Sequence, residues 1–505
     1  MKKNTSLFAL FLLLTLLSCR IVPFDDVSLA GQSEWAVPLI DSKKSVSDLV
    51  KDFDKEAFLQ IAPDGLLVLH YKGNFIAQSS LDIFASLQNL VYPLPDTVTS
   101  LPFQVPNGID IDYVDVKKGQ LILGFRGIPN EVLSVTLKIP QMTKNGVAFT
   151  RSFALTQLPY LENIDIAGWH FEPANGSIVI NYDARRASNN QRVNIAALGN
   201  GALAAIQIKD FQFSLVKGYF GLSTFDSPRD TIEMDFIQNL NQGEIRFEDP
   251  KMTLTLENSF GIPVRAISKV AEVITINGQK LALKSAITQG IDINYPSITE
   301  IGKSKKTVFV LDKNNSNLVD IISANPKAIE YDIDGITNPN QDRTLRGFMT
   351  DSSSYKLQVE VDLPIHGSAK NFTLLDTFNF NIKKYENLTS AALKVITDNG
   401  MPVDIGMQGF FVGANGIIID SFYNKTAPLV LKGAPVGANG MPTSIQKQES
   451  LIELDAVKLK KIVPATKIVI RLAISTTNNG TVPVKLVKTQ DVRVQVGLKF
   501  GVKTE

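Results

Sequence analysis

Asp110, Asp112 and Asp115 lie close together in the stretch GIDIDYVDV, and their spacing is that of groups that could act together. On a β-strand, Asp110 and Asp112 would point to the same side, because successive side chains alternate between two faces. Two neighbouring carboxylates can bind calcium or serve as the acid–base pair of a glycosidase. The same alternation fits the solvent face of a strand that buries Ile111 and Tyr113, and we favour that interpretation.

The three histidines, His70, His170 and His366, fall in separate stretches of strand-like or turn-like sequence. The sequence contains no HExxH motif, no Gly-x-Ser-x-Gly elbow and no phosphate-binding glycine loop. Trp169 and Phe171 alternate around His170, which predicts a core face more than a sugar-binding platform. We therefore expect structural roles for the histidines, and we predict that the protein is not an enzyme and uses no cofactor or metal.

Cys19 is the only cysteine among 505 residues, and it directly follows an apolar run. Lys2 and Lys3 precede that run, which extends over residues 7–17. As a helix the run would be about 16 Å long, too short for a hydrocarbon core of about 30 Å. Its length is typical of the hydrophobic region of a signal peptide, so residues 1–18 are left out of fold reasoning.

The residues Leu16-Leu17-Ser18-Cys19 resemble the lipobox of bacterial lipoproteins. This resemblance implies that acyl chains such as palmitate are attached at Cys19 and that the chain is cut just before it. Two or three acyl chains anchor a protein stably, whereas a single chain is marginal. Cys19 is therefore the predicted lipid attachment site, and the membrane is the predicted partner of its acyl chains. No other thiol is available for a disulfide or a zinc site.

The residues after Cys19 bear on which membrane carries the protein. In bacterial lipoproteins, a residue other than Asp at the next position, here Arg20, implies passage to the outer membrane. Surface lipoproteins of Bacteroidota carry an acidic export signal after the cysteine, and Asp25 and Asp26 are the candidates here, placed later than that pattern expects. A solvated acidic pair in a tether is the alternative, so the periplasmic and the cell-surface face both stay open. The stretch SEWAVPLID, from Ser33, also resembles the start of large Bacteroidota envelope lipoproteins.

The charges are balanced and dispersed along the chain. Lys and Arg number 51 and Asp and Glu number 50, which gives a formal net charge of +1. No block of like charge suggests a nucleic-acid footprint, so we expect no nucleic-acid partner.

Short strands joined by tight turns dominate the sequence. Asn-Gly and Asp-Gly supply the positive φ angles that two-residue hairpin loops need. Repeated turns between alternating or β-branched runs predict an all-β chain of antiparallel sandwich or extended curved-sheet units with a few short helices. The Asn-Gly pairs begin at residues 107, 145, 175, 200, 277, 399, 415, 439 and 479, and the Asp-Gly pairs at 64 and 334.

An internal repeat is suggested by Gly-x-Pro-Val after a strand-like run, at residues 261–264 and 400–403, with a looser copy at 480–484. Two or three β-units built on one plan would account for this pattern. The segment 247–283, with MTLTLENSFGIPV followed by ITINGQKLAL, resembles LEA14/WHy-like β-sandwich repeats. That resemblance implies a β-sandwich in this part of the chain.

Three helices are predicted from capping residues and apolar spacing, over residues 45–56, 79–90 and 315–326. The predicted organisation is a signal peptide at 1–18, a tether at 19–44, an N-terminal β-rich region at 45–245, a middle β-sandwich-like domain at 246–378 and a C-terminal β domain at 379–505.

These features together predict an outer-membrane lipoprotein that acts as a non-catalytic binding, scaffold or assembly module of the cell envelope. Its expected partner is another envelope protein or a surface polymer. The alternatives are a carrier of lipid or another apolar ligand, and a glycan-binding or glycan-active surface protein that would use Asp110 and Asp112.

Overall fold

The computed structural model describes residues 31–46, 59–73, 76–80, 89–102, 108–156, 159–234, 243–382, 387–424 and 428–504. Nearly all of the predicted helices at 45–56 and 79–90 lie outside these ranges. The described residues are dominated by antiparallel strands, and they contain two α-helices. The predicted all-β fold class is therefore confirmed.

The strands of the first part are β1 (Gly31–Ser45), β2 (Leu59–Ile61), β3 (Leu67–Lys72), β4 (Ile76–Ser79), β5 (Asn89–Pro93), β6 (Val98–Pro102), β7 (Asp110–Arg126), β8 (Leu133–Lys144), β9 (Val147–Leu155), β10 (Tyr160–Asp165), β11 (His170–Phe171), β12 (Ser177–Arg186), β13 (Arg192–Val193) and β14 (Leu203–Tyr219). The next part contains β15 (Ser223–Phe225), β16 (Asp230–Glu233), β17 (Glu244–Phe247), β18 (Lys251–Asn258), β19 (Val264–Thr275), β20 (Lys280–Ala282), β21 (Ile291–Ile293), β22 (Lys305–Leu311), helix α1 (Leu318–Ile322), β23 (Pro326–Thr337), β24 (Gly347–Thr350) and β25 (Ser354–Pro364). The last part contains β26 (His366–Lys370), β27 (Phe372–Asn379), β28 (Leu388–Asn399), β29 (Val403–Gly413), β30 (Ile418–Ser421), β31 (Leu429–Leu431), β32 (Gln446–Leu454), helix α2 (Ala456–Ile462), β33 (Ala465–Thr476), β34 (Val484–Lys485) and β35 (Asp491–Thr504).

The first region is an eleven-stranded sheet with the main order β13-β12-β8-β11-β7-β14-β24, which β5, β6, β9 and β10 extend. Its long strands alternate buried and exposed residues, as a sheet with one covered face requires. Large apolar side chains such as Leu121, Phe125, Leu137 and Tyr182 fill its core. The same core continues into the middle region, where Leu254 and Tyr331 belong to it.

The middle region combines two six-stranded sheets, one ordered β2-β3-β25-β18-β22 with β4 and one ordered β15-β23-β19-β20 with β16 and β21. The C-terminal region combines a four-stranded sheet, β1-β35-β28-β32, with a five-stranded sheet built on β27-β33-β29-β30. Side chains of both C-terminal sheets, including Ile405, Ile452, Leu472 and Val492, meet in a second core.

The middle and C-terminal sandwiches repeat one plan, as the sequence repeat predicts. The order β22-β18-β25-β3 in the middle corresponds to β32-β28-β35-β1 in the C-terminal region, and the pair β19-β23 corresponds to β29-β33. In both copies the strand after the Gly-x-Pro-Val turn, β19 or β29, pairs with a strand that follows a short helix. Helix α1 precedes β23, and helix α2 precedes β33. The helix predicted at 315–326 is confirmed in a shorter form as α1, whereas its counterpart α2 is absent from the sequence-based prediction.

In each copy, a buried asparagine ends the strand that precedes the Gly-x-Pro-Val turn. Asn258 accepts a hydrogen bond from the backbone N–H of Phe260 at 2.9 Å, and Asn399 accepts one from that of Met401 at 2.8 Å. Both asparagine side chains are fully buried. Buried polar groups need partners, so each asparagine amide satisfies the backbone where the chain leaves one sheet for the other.

Two predicted features need correction. The tether predicted at 19–44 is shorter, because residues 31–44 belong to β1, which pairs with β35 from Gly31 to Ser45. The Asp-Gly turn predicted at Asp334-Gly335 is wrong, because both residues lie within β23, where β19 pairs with both of them and β15 pairs with Gly335. Pairing on both sides of β23 outweighs the local turn preference of the dipeptide. In the described part of the chain, no helix has the length and apolar character needed to cross a bilayer.

Candidate functional site

The candidate site is the polar face at the start of β7, formed by Asp110, Asp112, Tyr113 and Asp115 and called the β7 face below. The register with β14 slips here, so that Lys217 pairs with Tyr113 and Gly218 pairs with Ile111. A side chain at residue 218 would place its Cβ 2.2 Å from the carbonyl oxygen of Asp110, so only glycine fits the slip.

This bulge turns Tyr113 onto the same face as the acids. Ile111 and Val114 are both buried, whereas Tyr113 between them is only half-buried. The expectation that Ile111 and Tyr113 both point inward is therefore wrong for Tyr113. An extra residue in one strand of an antiparallel pair shifts the alternation of all later side chains, which is the physical reason.

Asp110 and Asp112 do share one side, as predicted, but a cation lies between them. The Arg346 guanidinium donates from Nη2 to Oδ2 of Asp110 at 3.0 Å. Its Nε lies 3.3 Å from Oδ2 of Asp112. Arg346 precedes β24, the next strand beyond β14 in the sheet. Arg346 thus bridges the two carboxylates, which fits an ion-pair network on the sheet face better than an acid and a base placed to act on a sugar.

Asp115 links the two rings of the β7 face. Tyr113 Oη donates to Oδ1 of Asp115 at 2.6 Å, and Nδ1 of His170 lies 2.6 Å from the same oxygen. The two rings stack with centroids 5.7 Å apart, and Lys217 Nζ lies 4.9 Å from the centroid of the Tyr113 ring. Burial raises the pKa of the Tyr113 phenol far above its usual range, and the bond to Asp115 raises it further. The phenol therefore stays protonated and acts as a hydrogen-bond donor.

The same kind of pair recurs at the other two histidines of the sequence. His70 Nδ1 lies 2.7 Å from Asp362 Oδ1, and these residues face each other across β3 and β25. His366 Nδ1 lies 2.7 Å from Asp249 Oδ2. The first pair joins neighbouring strands of one sheet, and the second ties β26 to the turn between β17 and β18, so the arrangement agrees with the predicted structural roles.

The aromatic residues around His170 point into the core. Phe171 is buried, and Trp169 packs on the ring of Phe149 at a centroid distance of 5.3 Å. The prediction of a core face is confirmed for this pair.

The most deeply buried carboxylate is one that the sequence-based reasoning assigned to a turn. Asp334 is fully buried in β23, accepts the backbone N–H of Ser227 at 2.9 Å, and forms a short ion pair with Lys269. Lys269 lies at the register slip of β19, and Ser227 lies in the break between β15 and β16. Asp334 therefore joins two interruptions of the sheet. The alternation in EYDIDGIT is the signal that could have identified this strand.

An apolar cavity lies inside the first region, between β5, β6, β12 and β14. Its volume is about 10 Å³, and its walls include Tyr92, Leu101, Phe171, Ile180 and Ile206. That volume accommodates roughly one water molecule, and the lining is almost entirely apolar.

The predicted lipid attachment site Cys19 and the predicted export residues Asp25 and Asp26 lie outside the described residues. In the part of the chain that the structure describes, no group of three or more acidic, histidine or cysteine side chains has a geometry that could hold a metal ion.

No protein-family model and no curated protein matches the sequence. Among solved structures, the chain is similar to a protein of Parabacteroides distasonis, a member of the Bacteroidota, that is described provisionally as secreted. The two share 16% identity, the match covers 57% of this chain and 88% of that chain, and the TM-score is 0.33. It is also similar to the infectious bursal disease virus Gt strain structure, with 9% identity, 99% and 87% coverage and a TM-score of 0.16. A tandem CBM22 domain of Paenibacillus barcinonensis Xyn10C matches with 10% identity, 58% and 98% coverage and a TM-score of 0.14. These low TM-scores assign neither a family nor a function.

Proposed function

We propose that this chain is a lipid-anchored protein of the bacterial outer membrane that serves as a non-catalytic binding or assembly module. The acyl chains on Cys19 would hold it in the membrane. Its β-sandwiches would contact another envelope protein or a surface polymer.

The observation that carries the non-catalytic part is the pairing of the candidate catalytic groups across strands. Arg346 forms ion pairs with both Asp110 and Asp112, and Asp115 is bound by both Tyr113 and His170. A general acid or base must exchange a proton with a substrate, and a cation held between two carboxylates opposes that role. Charge pairs of this kind stabilise a fixed sheet surface, which is the property a binding module needs.

The anchoring part is supported by the Leu16-Leu17-Ser18-Cys19 motif and by the position of β1. Only residues 20–30 separate Cys19 from Gly31, where β1 begins, and β1 is paired with β35 along its length. A lipid at Cys19 would therefore be connected to a folded sheet by a short linker.

The carrier alternative would need a long apolar space. The cavity in the first region is about 10 Å³, which accommodates roughly one water molecule and is far too small for an acyl chain. The glycan-binding alternative would need exposed aromatic faces, and the Tyr113 ring lies between His170 and Lys217.

The test is membrane fractionation of cells that express the wild-type protein or the variant Cys19→Ala, together with mass spectrometry of the N-terminal peptide. We expect the wild type in the outer-membrane fraction with an acylated Cys19, and the variant unacylated. A wild-type protein with a free Cys19 thiol would refute the anchor. Crosslinking in cells followed by purification tests the binding role, which a lack of any specific crosslinked partner or polymer would contradict.

A further inference from the structure

The start of β1, helix α2 and the turn between β29 and β30 lie at one end of the C-terminal sandwich. Gly31 pairs with Thr504 and Leu388 pairs with Val502, so β1 and β28 begin where β35 ends. Ala391 pairs with Leu454, so β32 ends there as well. Since strands in a sheet are about 4.8 Å apart, β1 lies about 10 Å from β28 at this end.

Helix α2 closes this end and is fixed to the β29–β30 hairpin. Leu459 and Ile462 of α2 are buried in a small core with Phe411 of β29. Lys458 Nζ donates to the carbonyl oxygen of Phe422 at 2.9 Å, and Lys461 Nζ lies 3.3 Å from Asp420 Oδ2. The helix and the hairpin therefore form one surface, with the start of β1 at the same end.

Branched apolar side chains project from this surface. Val457 of α2 is 76% exposed, and Val463 directly after α2 is 39% exposed. Ile417 at the hairpin turn is 63% exposed, and Ile418 beside it is 58% exposed. Single exposed apolar residues are common, but four of them on two adjoining elements are typical of an interaction surface. We call these four side chains the anchor-end surface.

The charges around the anchor-end surface suit a layer of lipid headgroups. Lys460, Lys467 and Lys503 are exposed at this end. Of the acids nearby, Asp420 pairs with Lys461 and Asp455 accepts the backbone N–H of Lys458 as the cap of α2. Glu34 pairs with Lys499, and Glu453 is exposed. Lysines beside apolar side chains can bind lipid phosphates while the apolar groups enter the interface.

The length of chain between the anchor and the fold limits the distance to the membrane. Eleven residues, 20–30, separate Cys19 from Gly31. Even a fully extended chain over that stretch spans only about 40 Å. Gly31 lies at the same end as the anchor-end surface, so this end is the one that a lipid on Cys19 keeps close to the bilayer.

We propose that the anchor-end surface rests on the headgroup layer of the membrane that carries the Cys19 lipid. This proposal rests on the lipid anchor of the proposed function. Insertion of Ile417, Ile418, Val457 and Val463 into the interface would orient the C-terminal sandwich relative to the bilayer.

The test uses the full, lipidated chain with one new cysteine in place of an exposed isoleucine. Ile417→Cys probes the anchor-end surface, and Ile445→Cys is the matched control. Ile445 is 60% exposed and precedes β32, whose first residue pairs with Asn399 at the opposite end of the sheet. Because acylation consumes Cys19, each variant carries one free thiol, which is labelled with a fluorophore.

The labelled proteins are placed in phosphatidylethanolamine–phosphatidylglycerol vesicles that contain nitroxide-labelled lipid. We expect quenching at least threefold stronger at residue 417 than at residue 445. Equal quenching in a protein whose Cys19 is acylated and vesicle-bound would overturn the membrane contact while leaving the anchor intact. Equal quenching together with concentration-dependent self-association would also overturn it and would indicate a second copy as the occupant.

Mass spectrometry of the Cys19 peptide distinguishes a failure of the anchor from a failure of the surface. An unacylated Cys19 with no preferential quenching at 417 would overturn both proposals. A paired variant, Ile417→Glu with Ile418→Glu, should abolish the preferential quenching of a label at Val457→Cys, whereas Ile445→Glu should not. Circular dichroism of each variant shows whether the fold is retained, and a folded paired variant with undiminished quenching would contradict the contact.

Discussion

Asn399 provides the sharpest test of how the C-terminal sandwich is held together. Its side chain is fully buried and makes three hydrogen bonds to backbone groups. It accepts from the N–H of Met401 at 2.8 Å, and it donates to the carbonyl oxygens of Val403 at 3.0 Å and Lys432 at 2.9 Å. Asn399→Ala would leave these three backbone groups without that partner.

The repeated plan supplies an internal comparison. Asn258 occupies the same position in the middle sandwich but makes two such bonds, to Phe260 N–H at 2.9 Å and to the carbonyl oxygen of Asn294 at 3.3 Å. An unsatisfied buried polar group costs about 1–3 kcal/mol, so we expect Asn399→Ala to lose about 3 kcal/mol or more and Asn258→Ala about 2 kcal/mol.

Hydrogen exchange followed by mass spectrometry measures the loss of stability in each sandwich separately, because it reports protection peptide by peptide. A loss of about 3 kcal/mol raises the exchange rate about 150-fold in peptides from β28 and β29. Asn415→Ala is the control, since this exposed hairpin residue makes one bond, to the N–H of Ile417. A loss of stability below about 1 kcal/mol in Asn399→Ala, or a larger loss in Asn258→Ala than in Asn399→Ala, would contradict this reasoning. It would show that these side-chain amides do not satisfy the backbone groups where the chain passes from one sheet to the other.

Three further predictions concern charge and backbone contact. Lys269→Met should lower the melting temperature more than Lys280→Met in thermal denaturation, because Asp334 is fully buried and would lose its cation. Gly218→Ala should cost about 1–3 kcal/mol in urea denaturation, because its Cβ would lie 2.2 Å from the Asp110 carbonyl oxygen. Burial opposes ionisation of Asp249, yet Lys313 and His366 hold the pKa of its carboxyl below the usual value. A carboxyl whose pKa is lower in the folded state stabilises the fold above a pH of about 4, and this contribution is lost as the pH falls through the folded pKa. Lys313→Met should therefore make the urea midpoint fall less between pH 7 and pH 3.

Each of these predictions has a matched comparison. Lys269→Arg should retain most of the melting temperature, and an equal loss in Lys269→Met and Lys280→Met would contradict the role of the buried pair. Gly124→Ala places its Cβ no closer than 3.7 Å to a neighbouring atom and should cost less than Gly218→Ala. Asp249→Asn should flatten the pH dependence in the same direction as Lys313→Met, and an unchanged slope in both variants would exclude Asp249 as its source.

The fold class could be predicted because its signals are local. The Asn145-Gly146 turn, with φ angles of 51° and 76°, connects β8 and β9 as the dipeptide predicts. The repeat could also be recognised, because Gly-x-Pro-Val marks the same crossing in both sandwiches. Helix α2 could have been found in the same way, since Asp455 caps it and Pro464 follows it just as Pro326 follows α1.

The misplaced residues depend on partners that are far away in the sequence. Tyr113 reaches the polar face only because β14 has a glycine at residue 218 that permits the slip. Asp334 lies in a strand because β19 pairs with it on one side, and its charge is matched by Lys269. The local alternation in EYDIDGIT indicates the strand that holds Asp334, but the partners Gly218 and Lys269 lie far from Tyr113 and Asp334 in the sequence, so neighbouring residues do not reveal the slip or the buried ion pair.

The pairing of β1 with β35 constrains the order in which the protein can fold. All strands from β2 to β34 lie between the two partners in the chain, so this sheet requires a contact of very large sequence separation. Contacts of this kind form slowly, because a long loop must close before any bond is gained. The pairing of β1 with β35 must therefore wait until nearly the entire described chain is available for folding. During that interval β1 is an unpaired strand, and a holding chaperone that binds extended segments is the factor this folding order would require.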